Sequence, residues 1–276
     1  MSVQHEDQLG TTQGLEALVA MGYSGSEARR IVERWGTWQE FRASSWEERA
    51  HVVRRRGYAV LPHTMPAVRE TEIGEAVAYL DHRWPRELDK VGEALCLIEV
   101  GGRLPTRSIA VSGAQWPSGA GIEIARSVAA AACTQGLGII AVEGGVGAAA
   151  LETGRELGQA VSILYGDSPL VEGRGCVGGV MARYRSRGSS ARIHLRGTGS
   201  ESDGLRLGTQ VAVALAEAVV IIEPGTGRTP GFEAEWWGRT WGRRVIVVNG
   251  DSTRGDGGGS RAGELAKALG ELRSLS

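Results

Sequence analysis

The sequence is short of everything that advertises a metal centre, a disulfide scaffold or a membrane span. Its three Cys (Cys96, Cys133, Cys176) have no paired spacing, and apolar runs around the first two suggest buried thiols in a reducing compartment. Five His (His5, His51, His63, His82, His194) are scattered, with no two at metal-ligand spacing, so neither a metal nor another cofactor is expected. No apolar run approaches membrane-spanning length, and MSVQHEDQLG lacks a basic and apolar leader, so the expectation is a cytoplasmic protein with no membrane partner. Positive charge is not in excess either. With 31 basic and 32 acidic residues the net charge is −1, so any binding to nucleic acid must come from a local patch. There is no GxSxG elbow, no Cys/His pair and no close pair of acids backed by a base, so the residues give no ground for expecting catalysis.

What the chain does have is glycine. Its 42 Gly among 276 residues are about twice the average share and imply many tight turns and close backbone approaches. The hydrophobic fraction of 42% and charged fraction of 23% are those of a globular protein, long enough for one large domain and a smaller attachment. Residues 1 to 60 read as a small helical domain. Leu15, Leu18 and Val19, then Ala28, Ile31 and Val32, recur at helical spacing, with breaks at Gly22 and Gly36 and with Ser24 or Ser26 as a cap. Trp35, Trp38, Phe41 and Trp46 are expected to form its core, because a unit this small needs large side chains. Residues 61 to 104 read as a connector that packs on the larger domain, with one strand-like run at 94 to 100.

From Ser108 the pattern becomes α/β. Apolar strands at 108–112, 137–142, 160–166, 192–195, 218–223 and 245–249 alternate with Gly loops and helical stretches. Repetition of that unit implies right-handed crossovers and a Rossmann-like, mainly parallel sheet with helices on both faces, spanning 105 to 251. Ile109, Ala110, Val111, Ile139, Ile140, Ile163, Val220, Ile221, Val245 and Val247 should share that sheet. The tail, 252 to 276, reads as a Gly/Asp linker and one short amphipathic helix.

In such a sheet, ligands bind beyond the carboxyl ends of the strands, where loops and helix N-termini present amides to anions. Three loops qualify: Gly113-Ala-Gln-Trp-Pro-Ser-Gly119, Glu143-Gly-Gly-Val-Gly147 and Pro224-Gly-Thr-Gly-Arg-Thr-Pro-Gly231. Neither of the first two completes a GxGxxG fingerprint or a P-loop. Gly113, Gln115, Gly144, Gly145, Gly147, Gly225, Thr226, Gly227 and Arg228 are the candidate phosphate contacts, with close packing as the other use of the glycines. Trp116 is expected to pack its loop down, with stacking on a base as the alternative. Arg174, Arg183, Arg185, Arg187, Arg192, Arg196 and Arg206 can form a phosphate-tracking patch or simply a solvated face. Glu233 and Glu235 begin a helix, where acids usually serve the dipole.

Taken together, Asp81-His-Arg-Trp-Pro85, the strand ending Ser108-Ile-Ala-Val-Ser-Gly113, GGVGAAALETGRELG, AVVIIE and Gly242-Arg-Arg-Val-Ile-Val-Val-Asn-Gly250 resemble the DprA (Smf) family over most of residues 10 to 250. The resemblance implies a SAM-like or helix-hairpin-helix domain before the Rossmann domain. It also implies non-catalytic binding of single-stranded DNA in DNA uptake, with RecA loaded onto that DNA, and leaves a homodimer open. Gln115, Gln159 and Gln210 stand where the family carries basic residues, so DNA contact would fall to Arg183, Arg185, Arg187 and Arg206 of the arginine-rich stretch. Gln keeps hydrogen-bonding capacity but loses the charge that makes phosphate binding strong. Pro224-Gly-Thr-Gly-Arg-Thr with Glu233 is also similar to a motif of the lysine-decarboxylase-like LOG phosphoribohydrolases, which makes a nucleotide sensor or nucleoside-monophosphate hydrolase the alternative.

Overall fold

The computed structural model describes residues 8–21, 23–53, 75–165, 191–195, 201–225, 229–249, 270 and 274. The chain divides into two compact units, one comprising Met1–Val100, Tyr165–Pro169 and His194–Gly204, the other Gly101–Leu164, Leu170–Ile193 and Leu205–Ser276.

The first unit opens with four helices, α1 (Thr12–Ala20), α2 (Gly25–Trp35), α3 (Trp38–Ala43) and α4 (Trp46–Val53). Ser24 caps α2, and the buried Glu27 carboxylate accepts hydrogen bonds from the Ser24 amide at 2.8 Å and its hydroxyl at 2.7 Å. That reciprocal arrangement satisfies donors which the first helical turn leaves unpaired. Trp35, Trp38 and Tyr23 crowd around Phe41, with ring centroids 5.0, 6.0 and 6.3 Å away. The core is therefore aromatic, as the size of the unit requires. The expected connector has more structure than its sequence suggests. Strand β1 (Glu75–Ala78) pairs antiparallel with β2 (Leu97–Gly101), and a 3₁₀ segment (Arg86–Ala94) lies between them. Ala78, Cys96 and Leu97 join the helical core.

The second unit is built on β3 (Ser108–Gly113), β4 (Gly138–Val142), β5 (Ala160–Tyr165), β7 (Ala218–Ile222) and β8 (Arg244–Val248), all parallel in the order β5-β4-β3-β7-β8. Strand β6 (Ala191–Leu195) lies outside β5. The expected apolar residues of these strands do share one sheet, with Ile109 in register with Ile139 and Val219 with Val245. Helices α5 (Gly119–Thr134) and α6 (Gly145–Glu156) enclose a core with Ile109, Val111, Ile139 and Val220. On the opposite face, α8 (Pro230–Thr240) lies so close that a Cβ on Gly238 would stand 2.8 Å from Val245 and 3.2 Å from Val219. Alternate residues of β7 therefore face different helices, which is why its sequence is apolar throughout. Helix α7 spans Glu201–Leu215. The tail expected as linker and helix lies almost wholly outside the described residues. Among those described, no helix is long and apolar enough to cross a membrane, and no group of His, Cys, Asp or Glu can hold a metal ion.

Candidate functional site

The chain runs from β3 outward through β4 to β5, and later from β7 outward to β8 on the other side of β3. Strand order thus reverses between β3 and β7, and the loops leaving those strands diverge there. In an open parallel sheet this switch point is where ligands are received. The three Gly loops leave β3, β4 and β7, which are neighbours, so Gly113, Gln115, Gly144, Gly145, Gly147 and Gly225 come to one edge.

At that edge the glycines serve close packing between loops. A Cβ on Gly113 would fall 1.8 Å from the Ile222 carbonyl oxygen, and one on Gly147 2.4 Å from that of Val142. Gly145 has φ 48° and lies under the Ala114 and Gln115 carbonyls, where a Cβ would approach to 2.2 and 2.7 Å. The Val146 amide, in the first turn of α6, donates to Ala114 O at 3.1 Å. Behind this loop the Glu143 carboxylate is bonded by Arg155, which also donates to the buried Ser162 hydroxyl at 2.6 Å.

The N-terminus of α5 is also filled from within. Glu223, immediately after β7, has φ 51° and is the one non-glycine residue with positive φ among the described residues. Its carboxylate accepts from the Ser118 amide at 2.9 Å and from the Ser118 hydroxyl. The Ser118 hydroxyl oxygen in turn accepts from the Gly121 amide at 3.0 Å, capping the helix. Gly121 leaves the Glu223 carboxylate its room, since a Cβ there would stand 2.6 Å from it and push it aside. A negative group at a helix N-terminus is favourable, and here the protein supplies its own. At the third loop, Thr229 caps α8 by accepting from the Phe232 amide at 3.2 Å while donating to Pro224 O at 2.5 Å.

Other candidates stand elsewhere. Gln159 precedes β5 and so lies at the opposite edge of the sheet from the Gly loops, because parallel strands start at one edge and end at the other. Its side-chain oxygen is buried with no hydrogen-bond partner among the described residues. Gln210 is 8% exposed, part of the buried side of α7, whereas Arg206 on the same helix is exposed. Neither Gln joins the loops as a surface contact. Arg183, Arg185, Arg187, Thr226, Gly227 and Arg228 lie outside the described residues. Glu235 is paired with Arg239 one turn on, at 2.8 Å.

Trp116 does not pack its loop down: it is 74% exposed at the loop's apex, beside an exposed Gln115. The loop has no need of its indole, because the glycine contacts and the Glu223 carboxylate already hold it. Sequence reasoning does not single out Glu223 or Ser118. Ser before a helical stretch is a readable cap signal, but its partner is 105 residues away.

A parallel sheet covered by helices on both faces, with a switch point between β3 and β7, defines a Rossmann-like fold. No family model matches the chain and no curated protein matches it. Among solved structures, it is similar to DNA processing protein A (DprA) from Streptococcus pneumoniae, with a TM-score of 0.63 and 14% identity over 96% of this chain and 93% of that one. It is also similar to DNA processing protein A from Helicobacter pylori, described for its single-stranded DNA binding mode, with a TM-score of 0.54 and 11% identity over 73% of this chain and 96% of that one. The fold is that of DprA.

Proposed function

We propose that the protein binds single-stranded DNA along the carboxyl edge of its parallel sheet and acts in DNA processing without catalysing a covalent step. The observation that carries this reading is the state of the helix N-termini. A mononucleotide pocket uses free amides there to hold one phosphate. Here the first turn of α6 gives the Val146 amide to Ala114, and α5 is capped by Ser118 and faced by the Glu223 carboxylate. What this edge offers instead is exposed side chains, Gln115 and Trp116, on a fold shared with proteins that process DNA. The arginines from 174 to 206 supply the cationic density that an otherwise neutral protein needs to track phosphates.

Thermal denaturation with two ligands tests this. An oligonucleotide of roughly ten or more bases should raise the melting temperature, since a ligand bound only by the folded state stabilises it. Mononucleotides at millimolar concentration should leave it unchanged. A shift with a mononucleotide and none with the oligonucleotide would replace this reading with the nucleotide-sensor or phosphoribohydrolase one. Replacing Arg183, Arg185 and Arg187 together with Ala should weaken binding to all sequences alike and flatten its salt dependence. Within the same reading, loading of RecA and a homodimer are the protein-level activities to assay.

A further inference from the structure

We propose that Trp116 is a base-stacking residue and that Glu223 is the positioning residue that holds it out from the surface; this rests on the single-stranded DNA reading. A lone exposed indole needs no explanation by itself. What distinguishes Trp116 is that the loop carrying it is fixed from three directions. At its start, the Ala114 amide donates to Ile222 O at 3.1 Å, and the Ala114 carbonyl receives the Val146 amide at 3.1 Å. At its end, Ser118 is held by Glu223 through both amide and hydroxyl. Pro117 comes directly after Trp116 and limits the backbone between them.

The Glu223–Ser118 contact bridges β7 to the loop after β3, so it spans the switch point itself. The carboxylate reaches Ser118 from a residue of left-handed backbone and lies where a Cβ on Gly121 would crowd it. The loop is thus held in one shape, and that shape leaves the indole 74% exposed. An exposed aromatic face carried on a backbone tied at both ends suits an unpaired nucleobase, because every base has a π-face and the loop itself has little order to gain on stacking. The ligand class is therefore a strand with unstacked bases rather than a duplex.

The test is a titration of a fluorescein-labelled oligothymidine into the full chain, read by anisotropy and by tryptophan emission. With wild type, emission should be quenched, and the Trp116→Ala variant should lose that quenching along with about 5- to 100-fold in affinity. Trp116→Phe should keep most of the affinity. Glu223→Ala should weaken binding several-fold, while Glu223→Gln, which can still accept from the Ser118 amide, should recover much of it. In a Trp116→Ala background, Glu223→Ala should cost no further affinity. Should Glu223→Ala fail to fold, as judged by its melting curve, Ser118→Ala removes the hydroxyl contact from the other side and should give the same dependence on Trp116. Wild-type binding that Trp116→Ala leaves unchanged overturns the stacking role while the DNA reading stands. An equal loss from Glu223→Ala with and without Trp116 overturns the positioning role. Absence of any wild-type binding to the oligonucleotide overturns the DNA reading and this inference with it. Equal quenching by free thymidine monophosphate would assign the surface to a nucleotide instead.

Discussion

In the helical unit Tyr23, Trp35, Trp38 and Phe41 are buried against one another, whereas in the α/β unit Trp116, Phe232 and Trp236 are 74, 47 and 59% exposed. The two units solve the same problem with different material. Four short helices enclose little volume, so a few large rings must supply their apolar area. The sheet encloses enough with Ile, Val and Ala, and its helices approach through Gly147, Gly154 and Gly238. Aromatics are then not needed inside, and those placed outside are available for contact with something else.

Substitutions can break that comparison at either end. The largest effect is expected in the α/β unit at a glycine. Gly113→Val places a side chain on the Ile222 carbonyl and should cost more than about 4 kcal/mol, seen as loss of folded protein in a urea titration. Phe41→Ala should cost about 3–5 kcal/mol by the same measurement, because three rings pack around it. Glu27→Ala removes the acceptor for the Ser24 amide and hydroxyl and should cost about 1 kcal/mol. Trp116→Ala and Trp236→Ala should each stay within about 0.5 kcal/mol of wild type, since neither ring is buried. A Trp116→Ala cost comparable to that of Phe41→Ala would erase the distinction between the units.

The thiols give the smallest signal. Burial pushes Cys96 up to about 12 and Cys133 up to about 11, so the reactive thiolate is scarce in the folded protein. In a Cys176→Ser background, neither should react with a thiol reagent at pH 8.5 until denaturant is added. Rapid labelling of Cys96 in native protein would show that the helical unit opens readily.

The parallel sheet was legible because β3, β4 and β7 are uninterrupted apolar runs bounded by Gly loops, and only a sheet covered on both faces calls for that pattern. The short strand Glu75–Ala78 was missed, since four residues of mixed polarity have no readable period and its pairing with β2 comes from tertiary contact. The loops of the site were found, and close packing was one of the two uses read for their glycines; choosing between the uses requires knowing what fills the place of each missing Cβ. Glu223 reads in sequence as a charge closing a strand. That it reaches Ser118 depends on a strand order which no local pattern contains.

The left-handed backbone at Glu223 also sets a trade-off for anyone engineering this protein. Such a conformation costs a residue with a Cβ about 1–2 kcal/mol relative to its relaxed form. Asn or Gly at 223 would occupy it with less strain, but each gives up the bonds to Ser118 and the negative group at the N-terminus of α5. Those same substitutions shorten or delete the carboxylate arm and slacken the loop that it ties down. Relief of backbone strain and support of the loop are thus opposed at a single position, and a variant library at 223, read by melting temperature and by the proposed DNA binding, would trace the exchange between them.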